Sequence, residues 1–116
     1  MTIQNWSDDI IVAEMADDPQ YTDEMAALAE RLAESPANVV LNLGTVSFLN
    51  SSNISRLLRL RKQMLSANRR LIICSVNDQI GGVFVLTGLD KIFEFTGDVA
   101  TALAKVQLEE KPDAKR

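Results

Sequence analysis

The sequence contains no histidine and only one cysteine, Cys74. Histidine is the usual general base near neutral pH and the commonest metal ligand in proteins. Without it, a chain with a single thiol cannot build a Ser/His or Cys/His nucleophilic site or a typical zinc site. Only chemistry based on carboxylates or lysines stays open, and no motif indicates it. We therefore expect no catalytic residues, no metal site and no cofactor, and we do not expect an enzyme.

A single cysteine also excludes a disulfide within the chain, which favours a reducing compartment. Cys74 lies in the apolar run "LIICSV", where a small core residue is the simpler interpretation. This run and "VFVLTGL" are the longest apolar stretches, and both are much shorter than the ~20 residues of a membrane helix. The N-terminus lacks the basic stretch and apolar run of a signal peptide. These absences predict a cytoplasmic protein without membrane insertion.

Phosphate-binding glycine motifs are absent as well. The chain has five glycines, and "IGGVF" holds the only glycine pair, with no GxGxxG and no GxxxxGK[ST]. The net charge is −4 and the isoelectric point is near 4.7. An acidic chain is poorly suited to the phosphate backbone, so we expect no direct binding of nucleic acid.

The charge is distributed unevenly along the chain. The first 35 residues carry nine acids against the single cation Arg31: Asp8, Asp9, Glu14, Asp17, Asp18, Asp23, Glu24, Glu30 and Glu34. The segment 56–70 carries six cations and no acid: Arg56, Arg59, Arg61, Lys62, Arg69 and Arg70. These segments could be two solvated helix faces that attract each other weakly across the fold. Alternatively, the basic segment forms a surface for an acidic partner.

Patterns typical of strands and helices alternate along the chain. Residues 2–15 predict a β-hairpin around the polar turn "SDD", and further strands are predicted over 38–43, 69–76 and 91–95. Helical spacing predicts helices over 21–35, from the junction at residue 50 onward, over 77–88 and over 98–108. This alternation indicates an α/β fold in which right-handed crossovers join the later, parallel strands.

We therefore predict a single domain over residues 1–108 with a frayed C-terminal tail over 109–116. Its sheet is mixed, with four to five strands that start with the N-terminal hairpin and continue in parallel, and about four helices cover it. Local signals predict Thr22 as the N-cap of the first helix, Asn77 or Asp78 as the start of the third, and Gly88 as its end. The apolar stripe of the second helix is predicted to consist of Ile54, Leu57, Leu58, Met64 and Leu65.

The loop after the strand predicted over 38–43 leads into the second predicted helix, and the junction reads "NSSNIS" over residues 50–55. Either Asn50 or the first serine is a suitable cap for the helix that follows. Whichever of the two caps the helix, at least one serine is left available for a function.

The residues around this junction resemble the STAS domain, the fold of bacterial anti-sigma-factor antagonists. In that family a strand ends in a loop that reads aromatic–hydrophobic–Asp–Ser–Ser/Ala–Gly–Leu, and a helix follows at once. Phe48 and Leu49 match the start of this loop, Ser51 and Ser52 match the serine pair, and Ile54 matches the leucine. The later stretch "TGLDKIF" is similar to the family's passage from helix to strand. In element order and length the resemblance covers nearly the whole chain.

The resemblance implies a non-catalytic regulatory protein that binds an anti-sigma factor and thereby releases a sigma factor. The anti-sigma factor would also be a serine kinase, which would inactivate the protein by phosphorylating it. The implied phosphorylation site is Ser52, with Ser51 as second choice. Asn50, Asn53, Ile54 and Arg56 would lie on the partner-facing surface. A homodimer is compatible with this interpretation.

The motif departs from the family pattern at two positions. Asn50 stands where the family usually has Asp, and Asn53 stands where it usually has Gly. These departures favour an alternative with the same fold and no switch. In that alternative the chain is a scaffold or a subunit of a larger complex, such as a stressosome-like particle or a lipid-transport complex.

Overall fold

The computed structural model describes residues 2–109, and the predicted tail lies outside the described residues from position 110 onward. Five strands and four α-helices alternate after an initial hairpin. The strands are β1 (Thr2–Asn5), β2 (Ile10–Glu14), β3 (Asn38–Asn42), β4 (Leu71–Cys74) and β5 (Glu94–Thr96). The helices are α1 (Gln20–Glu34), α2 (Ser51–Ser66), α3 (Asp78–Leu86) and α4 (Val99–Glu109), with a short 3-10 helix at Leu89–Lys91 before β5.

The five strands form one mixed sheet in the order β1-β2-β3-β4-β5. The first pair is antiparallel, and every later pair is parallel. Val40 of β3 lies opposite Val12 of β2 and Ile72 of β4, which fixes the register of the three central strands. The predicted α/β fold with an N-terminal hairpin, a mixed sheet and four helices is therefore confirmed.

Helices cover both faces of the sheet, which explains the continuous apolar runs of its central strands. The larger core lies between the sheet and α1, α2 and α3, and it includes Val39. The smaller core lies between the sheet and α4, and it includes the neighbouring Val40 as well as Cys74. Cys74 is fully buried, as the sequence indicates, and this burial raises the pKa of its thiol.

The phase of α2 differs from the predicted apolar stripe. Leu57 and Met64 are buried as expected, but Leu58 and Leu65 are 38% and 60% exposed. The residue that faces the core with them is Leu60, which is 3% exposed. Positions 57, 60 and 64 follow the 3.6-residue period, whereas 58 and 65 lie one position further around the helix. Two leucines of α2 are therefore on the surface.

The observed ends of α1 and α3 test the helix caps that the sequence predicts. Thr22 is not the N-cap of α1, because the helix begins at Gln20 with Pro19 in the capping position. Asn77 caps α3 by accepting a hydrogen bond from the Ile80 backbone N–H. Gly88 follows the end of α3 with φ of 76°, a left-handed conformation that favours glycine. The two signals around α3 are confirmed.

Arg70 leaves the basic segment and turns into the fold at the edge where the parallel strands begin. It is 8% exposed, and its Nε donates to the Glu94 carboxylate at 2.9 Å. Lys105 of α4 lies 3.5 Å from the same carboxylate, and Arg70 also donates to the Lys105 carbonyl. This cluster ties β4, β5 and α4 together, so Arg70 is not part of the exposed basic surface.

Among the helices of residues 2–109, none combines the length and the apolar character that a bilayer crossing requires.

Candidate functional site

Three loops meet where the parallel strands end, and the predicted site lies among them. They are residues 15–19 after β2, 43–50 after β3 and 75–77 after β4. The Thr45 hydroxyl donates to the Met15 carbonyl at 2.8 Å, and the Asn77 side chain donates to the Val46 carbonyl at 3.1 Å. The central loop, which leads into α2, is therefore held from both sides.

Asp17 fixes the approach to the candidate site. Its carboxylate accepts hydrogen bonds from the Ser47 hydroxyl at 2.6 Å and from the Ser47 backbone N–H at 2.9 Å. The hydrogen bond from the Ser47 hydroxyl is the main reason that the pKa of Asp17 lies below its usual value. The next residue, Phe48, is 61% exposed, so the loop presents an aromatic side chain to solvent just before α2.

Asn50 caps α2 through a reciprocal pair of hydrogen bonds. Its side chain accepts from the Asn53 backbone N–H at 2.8 Å, and the Asn53 side chain accepts from the Asn50 backbone N–H at 2.9 Å. This is a capping box built from two asparagines. Of the two caps that the sequence allows, the structure has Asn50, and the serine hydroxyls are not needed for capping.

Asn53 is placed differently from the expectation of a partner-facing side chain. It is only 2% exposed, and its Nδ2 donates to the Asp18 carboxylate at 2.8 Å. Asp18 also accepts from the Thr22 backbone N–H and hydroxyl. These bonds, with that from Asn53 the largest contribution, lower the pKa of Asp18. A polar side chain at position 53 therefore joins the start of α2 to the start of α1.

Tyr21 is buried beneath the hydrogen bond between Asn53 and Asp18. Its side chain is 1% exposed, and its hydroxyl donates to the Asn53 backbone carbonyl at 3.0 Å. Burial raises the pKa of the Tyr21 hydroxyl, so it remains a neutral donor. The first turn of α2 is thus fixed from below by a hydrogen bond between the two helices.

Ser51 and Ser52 occupy the first two positions of α2, and both are exposed. Their hydroxyls make no hydrogen bond within residues 2–109. The backbone N–H groups of a first helical turn lack intrahelical acceptors, and the helix dipole is positive there. The structure therefore presents two free hydroxyls at an end of a helix that favours negative charge.

Ile54 and Arg56 border the same turn. Ile54 is half-buried and packs against the larger core, so it offers only part of its side chain to a partner. Arg56 is also half-exposed, and its charge contributes to lowering the pKa of Asp18. Its Nε atom is buried, with no hydrogen-bond partner in the described part of the chain. A buried donor of this kind is costly unless an acceptor reaches it.

Sequence reasoning missed the residues that support the serine turn, namely Asp17, Asp18, Tyr21 and Ser47. The sequence signal that could have indicated them is the position of Asp17 and Asp18 in the loop that follows β2. Loops after parallel strands gather at one edge of a sheet. Across residues 2–109, no group of three or more histidine, cysteine or acidic side chains is arranged to hold a metal ion.

Solved structures of similar fold include two anti-sigma factor antagonists. An anti-sigma-factor antagonist domain protein from Planctomyces limnophilus superposes with a TM-score of 0.79 at 18% identity, covering 91% of this chain and 97% of that one. The antagonist SpoIIAA, solved in its unphosphorylated form, gives a TM-score of 0.77 at 14% identity, covering 91% of this chain and 95% of SpoIIAA. At these identities the likeness is one of fold.

Comparison of sequences leads to the same family. The Bordetella bronchiseptica protein BtrV, named as a candidate anti-sigma factor antagonist, is 27% identical over 79 residues, which cover 68% of each chain. The model of the STAS domain matches residues 15–102, well over half of the 116 residues. This match spans the three loops, the capped serine turn and the helices around them, and the chain belongs to the STAS domain family.

Proposed function

We propose that this chain is an anti-sigma factor antagonist that binds an anti-sigma factor with serine kinase activity. Its contact surface is centred on the first turn of α2, and phosphorylation at Ser52, with Ser51 as second choice, releases the partner. The proposal draws on family membership and on the names of the relatives. The observation that carries it is the pair of exposed serine hydroxyls on a helix end whose cap is provided by other side chains.

A phosphate on this turn would change binding while leaving the fold intact. It adds about −1.5 to −2 charges at the positive end of a helix, where negative charge is favoured by ~0.3–1 kcal/mol. Because the hydroxyls of Ser51 and Ser52 hold no structural hydrogen bond in the described residues, no contact is lost. A partner packed over the turn would instead have to cover an unmatched dianion, which costs several kcal/mol.

Arg56 has the position expected of a residue that responds to this charge. It lies one helical turn after Ser52, and its Nε is a buried donor that lacks an acceptor within residues 2–109. In the unmodified protein the side chain is half-exposed and its charge acts on Asp18, so a partner contacts it through its exposed atoms. After phosphorylation it is the nearest α2 cation to the new phosphate. We therefore assign Arg56 to the partner-facing surface together with Asn50 and the exposed part of Ile54.

A second candidate function keeps the surface and omits the switch. The capping box of Asn50 and Asn53 places amides where the family usually has a carboxylate and a glycine, and the Asn53 side chain is committed to Asp18. This arrangement suits a permanent contact in a larger assembly, of the stressosome-like or lipid-transport type, in which no kinase needs to read the turn.

Phosphorylation mapping separates the two functions. The purified chain is incubated with anti-sigma kinases from its own organism and ATP, and the modified residue is located by mass spectrometry. Ser52→Ala should abolish the label, or Ser51→Ala if the second choice is the acceptor. The matched control is Ser55→Ala, which removes an exposed hydroxyl from the next turn of α2 and should leave labelling unchanged.

Each remaining outcome has a definite meaning. A kinase that binds the chain without labelling either serine would replace the switch with the scaffold function. An absence of binding to every anti-sigma factor of the organism would refute antagonism itself.

A further inference from the structure

Helices α1 and α2 lie side by side on the same face of the sheet, and their outer surfaces carry opposite charge. After Gln20 at its start, the exposed side chains of α1 are acids and alanines: Asp23, Ala26, Ala27, Glu30, Ala33 and Glu34. The exposed side chains in the middle and at the end of α2 are cations, leucines and serines: Ser55, Leu58, Arg59, Lys62, Leu65 and Ser66. One molecule therefore presents an acidic and a basic helix next to each other.

These charges are not used within the fold. Glu30 and Glu34 of α1 make no ion pair with Arg59 or Lys62 of α2, and none of the four has another ion pair within residues 2–109. The two leucines are likewise uncovered, at 38% exposure for Leu58 and 60% for Leu65. Exposed apolar surface rimmed by polar side chains marks an interaction site.

Two hydrogen bonds between the helices fix which residues lie at the same height. The Tyr21 hydroxyl donates to the Asn53 carbonyl, and Gln63 Nε2 donates to the Ala29 carbonyl at 3.0 Å. Both helices run antiparallel to the central strands, so a residue of α1 is level with the residue of α2 about 32 to 34 positions later. On this alignment the alanines of α1 are level with the exposed leucines of α2, and Glu30 is level with Lys62.

We infer that this face binds a second copy of the same chain through a two-fold axis that runs along the groove between α1 and α2. Rotation about such an axis places α1 of each copy over α2 of the other and preserves height along the helices. Leu58 and Leu65 then pack against the small side chains around Ala26 and Ala33, and Lys62 meets Glu30. Any other in-plane two-fold axis that crosses the helices would place acid on acid.

The contact is expected to be weak. Helices of 15 and 16 residues are about 22–24 Å long, and packed helices lie about 8–10 Å apart. Such a face lies at the small end of specific protein interfaces, so we expect a weak, rapidly reversible dimer. Because charge complementarity contributes to association at an exposed surface, added salt should weaken it.

Charge exchange between two variants tests the inference directly. Sedimentation velocity of the wild type at concentrations up to about 1 mM and low salt should show a monomer–dimer equilibrium that weakens in high salt. Glu30→Lys and Lys62→Glu should each be monomeric, because each brings like charges together at both contacts. Their equimolar mixture should dimerise again, because the two variants are complementary at both contacts. Asp90→Lys and Lys91→Glu, at exposed positions outside this face, are the matched controls and should dimerise like the wild type.

Circular dichroism of the four variants checks that each is folded before sedimentation. A wild type that stays monomeric throughout this range would overturn the inference. So would single variants that dimerise as well as the wild type, or a mixture that fails to recover association.

Discussion

The edge of the sheet where the parallel strands begin and the edge where they end both carry charged side chains, but they hold them differently. At the first edge, the buried Arg70 pairs with Glu94, and Lys105 closes the cluster. At the second edge, Asp17 and Asp18 accept hydrogen bonds from hydroxyls and amides of neighbouring loops and helices.

The difference separates structural charges from charges that position a site. The Arg70 cluster joins two strands and a helix through side chains that bond to one another. The network around Asp18 fixes the first turn of α2 from below and leaves Ser51 and Ser52 free above it. Substitutions in the Arg70 cluster should therefore lower the stability of the fold. Substitutions in the network around Asp18 should loosen the first turn of α2.

The largest expected effect is that of Arg70→Ala. Removing the guanidinium leaves the Glu94 carboxylate partly buried and without its main partner, which should lower the free energy of unfolding by about 2–3 kcal/mol. Urea denaturation measures this loss. The neighbouring Arg69 is the matched control, because it lies 3.9 Å from the exposed Asp9 carboxylate. Arg69→Ala should change stability by less than about 0.5 kcal/mol, and equal losses in the two variants would remove the distinction drawn here.

A smaller loss is expected for Asn53→Ala at the other edge. The substitution removes the hydrogen bonds to the Asn50 N–H and to Asp18, and it should destabilise the chain by about 1–2 kcal/mol. Thermal unfolding provides the measurement, and Ser55→Ala on the exposed side of the same helix should remain within about 0.5 kcal/mol of the wild type. An unaffected Asn53→Ala protein would show that the network does not fix the turn.

The smallest effect concerns acid stability. The hydrogen bonds from Ser47 and Asn53 lower the pKa values of Asp17 and Asp18 in the folded chain. Each carboxylate therefore adds stability that is present above the unfolded pKa of about 3.9 and is lost as the pH falls through the lower folded value. Asp18→Asn should flatten the decline of stability below about pH 4. A pH series of urea midpoints tests this, and a decline in the Asp18→Asn protein as steep as in the wild type would contradict it.

Local signals in the sequence predicted more of the fold than of the site. The hairpin, the alternation of elements and the caps Asn50, Asn77 and Gly88 depend on neighbouring residues, so the sequence contains them directly. The predicted apolar stripe of α2 was wrong at Leu58 and Leu65, because apolar character alone does not decide which of two adjacent apolar residues faces the sheet. Packing against the larger core places Leu60 inside instead.

The support of the serine turn could not be predicted, because its contacts join distant parts of the chain. Asn53 reaches Asp18 across 35 positions, and Arg70 reaches Glu94 across 24. The sequence shows only that position 53 holds an asparagine where the family usually has glycine. It shows Arg70 only as one of several cations in the segment 56–70. The fold brings both side chains to their partners, and only the structure shows that Asn53 joins α2 to the start of α1 and that Arg70 forms a part-buried ion pair.

The central claim is that modification of the first turn of α2 controls binding without changing the fold. Isothermal titration of the cognate anti-sigma factor with the unmodified chain and with the enzymatically phosphorylated chain tests it most directly, together with the melting temperature of each form. The account predicts that phosphorylation weakens the affinity by at least tenfold, about 1.4 kcal/mol, while the melting temperature stays within a few degrees. Equal affinity of the two forms, or a phosphorylated chain that no longer folds, would contradict it.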